Sequence, residues 1–262
     1  MEATQGVGLE RRDGVAVITL SNVIRRNSFT PVMRRDIVAK LGELAGETDI
    51  RSVVIRGDGD HFCSGADLTA SAGAGARTYL QHRQYNKEIN ELGRALAAGP
   101  KPTIAAVEGN AAGAGMGVAC ACDVIVAARN AKFTPLFTKL GVVPEIGILY
   151  TLSQRIGVAK ARRLLMSSKP MGAEEAFDIG LVDELVEPGA TLERALEVGH
   201  EFDDCSPLAV ALVKEAFANG VASLADAGRL EVDYIPMITR SEDTREGMSA
   251  QREKRKPKFG GH

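Results

Sequence analysis

The stretch GNAAGAGMGVACACD, Gly109–Asp123, carries no charge until its last residue and is built almost wholly of glycine, alanine and other small apolar side chains. Glycine alternating with alanine lets one backbone approach another closely, and the small apolar run behind it reads as a short helix buried on every side. A loop that runs straight into a helix also leaves unpaired N–H groups at the helix N-terminus, where they favour developing negative charge. Two phosphate-binding readings fail on the residues themselves. A P-loop requires lysine after its last glycine, and here there is none; a dinucleotide fingerprint requires glycine at position 118, which is valine.

Working outward, TIAAVEG (103–109) before the stretch and VIVAA (124–128) after it have strand character, so the small-residue helix joins two strands. The same alternation stands further upstream. VAVITL (15–20) and SVVIRG (52–57) are short β-branched runs, PVMRRDIVAKLGELAG (31–46) between them has helical spacing with Pro31 opening it, and a further helix is expected from about Arg77 to Ala98. Downstream, GLVDELV (180–186) is a last strand-like run. Beyond it lie helices in TLERALEVGHEFDD (191–204), PLAVALVKEAFANG (207–220) and, with breaks, from Val221 to about Arg255. Strands alternating with helices indicate an α/β domain. The expected division is a core over 1–200 and a helical C-terminal region over 201–262.

Composition fits this picture. The chain has 262 residues, 45% apolar and 25% charged, enough to bury a substantial core. A net charge of −2 gives no general attraction to nucleic acid or to an anionic membrane, although REKRKPKF near the C-terminus is locally basic. The opening residues show no apolar run behind basic ones, so a secretory signal is not expected and a cytoplasmic location is. Four cysteines are too few for a disulfide scaffold, and Cys120 and Cys122 lack the second pair or histidine that a zinc site needs; they are assigned to the core.

A second tight stretch, GDGDHFCSGADL (57–68), follows the strand that ends near Gly57. His61, Cys63 and Asp67 invite a triad reading, but triad members meet through the fold rather than within one short segment, and no nucleophile elbow surrounds Ser64. A better use of this turn is as the source of a second backbone N–H, because an acyl oxyanion is held by two donors.

HFCSGADL, KPTIAAVEGNAAGAGMGVACACD, FTPLFTKLGVVPEIG and GLVDELVEPG together resemble the crotonase, or enoyl-CoA hydratase/isomerase, superfamily. SNVIRRNSFT and EGMSAQREKRKPKF are similar to that family's early and closing segments, so the resemblance covers most of the chain. It implies a spiral of ββα repeats followed by helices, homotrimers or dimers of trimers, CoA thioesters as substrates, and no cofactor other than the CoA of the substrate. By position it places the oxyanion donors on the backbone N–H of Ala66 and Ala114. Ser64, Gly65, Asp67 and Leu68 then belong to the loop that receives the thioester, and Arg25, Arg26 and Lys258 (or Lys254) are candidates for the CoA phosphates. Phe137, Ile148, Leu149 and a lip over 70–77 are candidates for shaping the acyl pocket.

Two departures bear on the chemistry. Hydratases of this family use glutamates at the positions matching Gly117 and Phe137, and both are absent. Glu145, in LGVVPEIG, instead resembles the single acid of peroxisomal-type Δ3,Δ2-enoyl-CoA isomerases. Moving a double bond is a proton shuttle that one carboxyl can run, and burial among Phe137, Val142, Val143 and Ile146 would raise its pKa to suit. The competing reading makes Glu145 a cap on the helix that follows. Asp123 and Glu108 are expected to be structural. An isomerase is therefore the expected activity; a hydratase or hydrolase of the same superfamily, or a non-catalytic acyl-CoA or RNA-binding protein, is the alternative.

Overall fold

The computed structural model describes residues 5–67 and 78–262. Leu68 and the lip over 70–77 lie outside the described residues.

The central sheet has six strands. β1 (Gly6–Arg12) and β2 (Val15–Ser21) form an antiparallel hairpin, turned at Asp13–Gly14, both of which have positive φ. From β2 the sheet continues in parallel through β3 (Ser52–Gly57), β4 (Thr103–Val107), β6 (Val124–Ala128) and β9 (Glu184–Val186). Its strands are apolar on both faces, and the alternation assigns each face a partner. Ala16, Ile18, Ile55, Ala105 and Ile125 point into the main core, whereas Val15, Val17, Val54, Ile104 and Val126 meet Ala195 and Val198 of helix α7 (Thr191–His200) on the other side.

The main core is closed by α1 (Pro31–Ala45), α2 (Tyr79–Ala97) and α3 (Ala114–Ala121). Pro31 stands at N1 of α1 and the Thr30 hydroxyl accepts from Met33 N–H, while α2 opens on a reciprocal capping box between Thr78 and Gln81. Every residue of α3 is buried, as its composition requires. A second, three-stranded sheet of β5 (Asn110–Ala112), β7 (Lys132–Thr134) and β8 (Met171–Gly172) stands beside the first. β1 and this small sheet were not expected from the sequence. β1 carries charge and glycine, and strands of two or three residues are too short to show a period.

Helices α4 (Ile148–Ile156), α5 (Val158–Ser167) and α6 (Ala173–Asp178) lead to β9 and α7, and α8 (Pro207–Ala218), α9 (Leu224–Ile238) and α10 (Glu242–Glu253) complete the chain. Asp123, expected to be structural, joins α8 to the sheet. Its carboxylate accepts from Thr103 N–H at 2.7 Å and Thr103 Oγ1 at 2.9 Å, and it pairs with Lys214, which also donates to the Leu96 carbonyl at 3.0 Å. These contacts all lie where the parallel strands begin. Among the described residues no helix is long and apolar enough to cross a membrane.

Candidate active site

Opposite that edge, the loops that leave β3 and β4 are stitched together by backbone hydrogen bonds. Phe62 N–H donates to Glu108 O at 2.7 Å, Cys63 N–H to Asn110 O at 2.9 Å, and Ala112 N–H to Cys63 O at 2.9 Å. Their glycines make the approach possible. A Cβ on Gly65, which has φ +99°, would stand 2.9 Å from Ala112 O and 3.3 Å from Ala114 N, and one on Gly115 would overlap the Cys63 carbonyl. The segment Gly65–Ala66 is thereby held against the N-terminus of α3, and Ala114 occupies the first helical position behind Gly113. Among the described residues, neither Ala66 N–H nor Ala114 N–H finds a hydrogen-bond acceptor. Two backbone donors from separate loops, one of them at a helix start, form the arrangement that can hold an oxyanion.

The early loop is pinned to the same segment. Ser64 N–H donates to Arg26 O and Ser64 Oγ to Arg25 O, at 2.9 and 2.8 Å, and Arg25 Nη1 donates to Asp67 Oδ1 at 3.0 Å. Asn27, at φ +56° and fully buried, donates from its side chain to the carbonyls of Asp58 and His61. Arg25 and Arg26 are exposed beside the oxyanion loop, and Asp67 is buried beneath Arg25.

Glu145 reaches the site from the segment before α4. Ile146, fully buried and at φ +59°, lies over Gly117 of α3: a Cβ at position 117 would stand 3.1 Å from Ile146 Cβ and 3.4 Å from the Glu145 carbonyl. Gly93 of α2 faces the same residue, and a Cβ there would overlap the Ile146 carbonyl. The two glycines make the room in which Glu145–Ile146 turns, and a β-branched residue in the left-handed region is the kind of local strain found where a side chain must be aimed. Burial raises the Glu145 carboxyl above its ordinary value of 4.5, opposed by the positive charge of Arg34.

The direction of this shift is the one expected, but its surroundings are not. Val142 and Val143 are 52% and 76% exposed, so they do not bury the acid; Phe137 and Ile146 are buried. A turn rich in glycine and proline shows its apolar residues in the sequence without showing which way they face. Capping fails as well. α4 starts at Ile148 with Gly147 as its N-cap and no side-chain cap, and nothing among the described residues donates to the Glu145 carboxylate.

The remaining candidates separate clearly. Cys63 is fully buried and its thiol is pushed up to about 12, while His61 Nδ1 faces Asn110, so the two are not poised as nucleophile and base. Burial likewise pushes Cys120 and Cys122 up to about 12 in the core. Glu108 accepts from Gly189 N–H and Thr191 Oγ1, both at 2.9 Å, and serves the start of α7. Ile148 is buried and Leu149 half-exposed.

Lys258 is not brought to the site of its own chain. Its N–H is held by Glu246, and the next residue, Phe259, accepts from Arg51 at the start of β3, whereas the oxyanion loops follow the end of that strand roughly 20 Å away. Lys254 caps α10 near the same edge. Sequence reasoning passed over Arg34 and Tyr85. The signal for Arg34 was its place among Met33, Ile37 and Leu44, the core-facing positions of α1.

Two backbone donors at the start of α3, with a half-buried acid on the turn that packs over the same helix, can be set beside known proteins. The family description enoyl-CoA hydratase/isomerase matches residues 10–262. This chain belongs to the enoyl-CoA hydratase/isomerase family. It is 36% identical over 254 residues to a "probable enoyl-CoA hydratase" of Rhodobacter capsulatus, covering 96% of each chain. It is 33% identical over 253 residues to the 1,2-epoxyphenylacetyl-CoA isomerase of Escherichia coli, covering 95% of each. Among solved structures, an enoyl-CoA hydratase from Polaromonas sp. JS666 superposes with a TM-score of 0.89 at 30% identity, covering 97% of this chain and 99% of that one. Membership of the hydratase/isomerase family makes the protein an acyl-CoA-processing enzyme with the crotonase fold.

Proposed function

We propose that the protein is an enoyl-CoA isomerase that moves a double bond with Glu145 as its sole acid and base. The observation that carries the reading is the pairing of a half-buried Glu145 carboxyl, to which nothing among the described residues donates, with glycine at position 117 and phenylalanine at 137, where hydratases of the family resemblance place their acids. The Glu145 carboxylate takes a proton from C2 of a 3-enoyl thioester. The electron pair moves onto the thioester oxygen, which the N–H groups of Ala66 and Ala114 hold as a dienolate. The carboxyl then returns its proton to C4, leaving the conjugated 2-enoyl thioester. Atoms and electrons balance without water or a redox partner, and CoA enters only as part of the substrate. A raised pKa suits a group that must both accept and return a proton.

Gly65, Asp67 and Ser64 hold the loop that carries Ala66, and Arg25 and Arg26 are positioned for the CoA phosphates. Phe137 contributes to the acyl wall. Lys258 can serve this role only from another subunit, in keeping with an oligomer. Hydration is the second reading, favoured by the names of several relatives, including the one from Rhodobacter capsulatus. It requires a second group to position water and complete proton addition.

The test compares wild type with Glu145→Gln on a 3-enoyl-CoA, following conjugated product by absorbance and hydrated product by mass. Loss of at least about 10²-fold in kcat, with substrate binding kept, supports the one-acid isomerase. A 3-hydroxyacyl product from wild type, or an unchanged rate in the variant, overturns it.

A further inference from the structure

Arg34 is a buried cation that the proton shuttle does not use. It is 2% exposed, on the core face of α1, with its guanidinium carbon 4.6 Å from the centre of the Tyr85 ring. Nη1 donates to the Tyr85 hydroxyl at 3.2 Å. The other two nitrogens, Nε and Nη2, are buried and find no acceptor among the described residues. A buried guanidinium ordinarily has partners for its donors, because leaving them dry and unpaired is costly.

The vacant donors define the shape of what they would bind. Nε and Nη2 form one edge of the guanidinium fork, the edge that takes both oxygens of a carboxylate through parallel hydrogen bonds. This chain uses that edge elsewhere. Arg12 holds Glu10 with it at 2.8 and 2.8 Å, Arg94 holds Glu91 at 3.2 and 2.8 Å, and Arg194 holds Glu184 at 2.5 and 2.9 Å. At Arg34 no side chain among the described residues fills the place. Glu145 is near enough to feel its charge but makes no ion pair with it. An acid locked onto this fork would also be unable to carry a proton between two carbons.

We infer that Arg34 forms an anion subsite at the far end of the acyl pocket, its Nε–Nη2 edge receiving a terminal carboxylate of the substrate's acyl chain. The enzyme then prefers short ω-carboxyacyl-CoA thioesters over chains of equal length that end in methyl. This rests on the reading that Glu145 faces the reacting carbons; Phe29, which bridges Ala66 of the oxyanion loop, leads directly into α1, and that connection is what places Arg34 beside the acyl chain.

Binding tests the subsite without any turnover. The probes are a saturated six-carbon diacid carried as its mono-CoA thioester and hexanoyl-CoA, with dissociation constants measured by calorimetry on the intact protein. Wild type is expected to bind the carboxylate-ended thioester tighter by about tenfold or more, as a bidentate charged pair requires. In Arg34→Met that ratio collapses toward unity, and in Arg34→Lys, which keeps the charge but not the fork, it falls between. Equal affinity of wild type for the two thioesters overturns the proposal, and needs no variant to fold. A ratio that survives in Arg34→Met overturns it too. Neither saturated probe can be isomerised, so failure of Glu145 as the acid leaves this readout untouched, and failure of the subsite leaves the Glu145→Gln experiment untouched.

Discussion

At Glu145 the same burial sets the activity and its cost. The folded protein holds the Glu145 proton above pH 4.5, where an unfolded chain has begun to lose it, so the group's contribution to stability is present below 4.5 and is lost as pH rises through the folded pKa. Glu145→Gln removes a charge that is poorly solvated at neutral pH. The variant should therefore have a higher urea midpoint than wild type at pH 7, with the gap closing at pH 4; a gap that is the same at both pH values argues against a desolvated carboxyl. Activity runs the other way. Proton abstraction needs the carboxylate, so kcat/KM should rise with pH through a pKa above 4.5. Gly65 offers a second check at this scale. With φ +99° and Ala114 N only 3.3 Å from where a Cβ would lie, Gly65→Ala should push the two oxyanion donors apart and lower kcat/KM by about 10²-fold or more.

Elements meet at the site through glycine, and there propensity and packing oppose each other. Replacing a mid-helix glycine by alanine ordinarily stabilises a helix by about 0.5–1 kcal/mol. At Gly93 of α2 the new methyl would run into the Ile146 backbone, which cannot move without moving Glu145. Gly93→Ala should instead destabilise the protein by about 1–3 kcal/mol in urea unfolding and reduce activity with it. At the opposite edge of the sheet, Asp123 ties β4 to α8 through Thr103 and the buried Lys214. Asp123→Ala leaves that ammonium with the Leu96 carbonyl alone, and a loss of about 3 kcal/mol is expected, without the change in the pH–activity profile that a site residue would give.

Across the whole molecule, the C-terminal helices carry apolar surface that one chain does not cover. None of the residues of α9 is buried, yet Leu224, Val232, Ile235 and Met237 are at least half exposed along it, and Phe217 of α8 is 66% exposed beside them. Apolar surface of this extent calls for a partner, and further copies of the chain are the occupant that the family resemblance implies. Sedimentation should accordingly give a mass that is a multiple of 27.8 kDa, and Val232→Asp with Ile235→Asp should shift it toward the single chain. Lys258 fits the same scale, since it lies at the wrong edge of its own sheet to reach its own oxyanion loops.

The sequence by itself determined the repeated strand–helix order, the buried small-residue helix, the two glycine-bearing loops and the candidate acid. The first three depend on local composition or on periodicity over a few turns, and the candidate acid is what the family resemblance implies for LGVVPEIG. β1 was not legible because it carries charge and glycine, and β5, β7 and β8 because they are only two or three residues long and pair with neighbours distant in the chain. Only the tertiary structure decided that Val142 and Val143 face outward, that Gly93 and Gly117 make room for the turn at Ile146, and that Arg34 is buried against Tyr85 with one edge of its fork unpaired among the described residues. Those facts depend on contacts between segments tens of residues apart, and no local pattern in a single sequence encodes which of its buried groups will face one another.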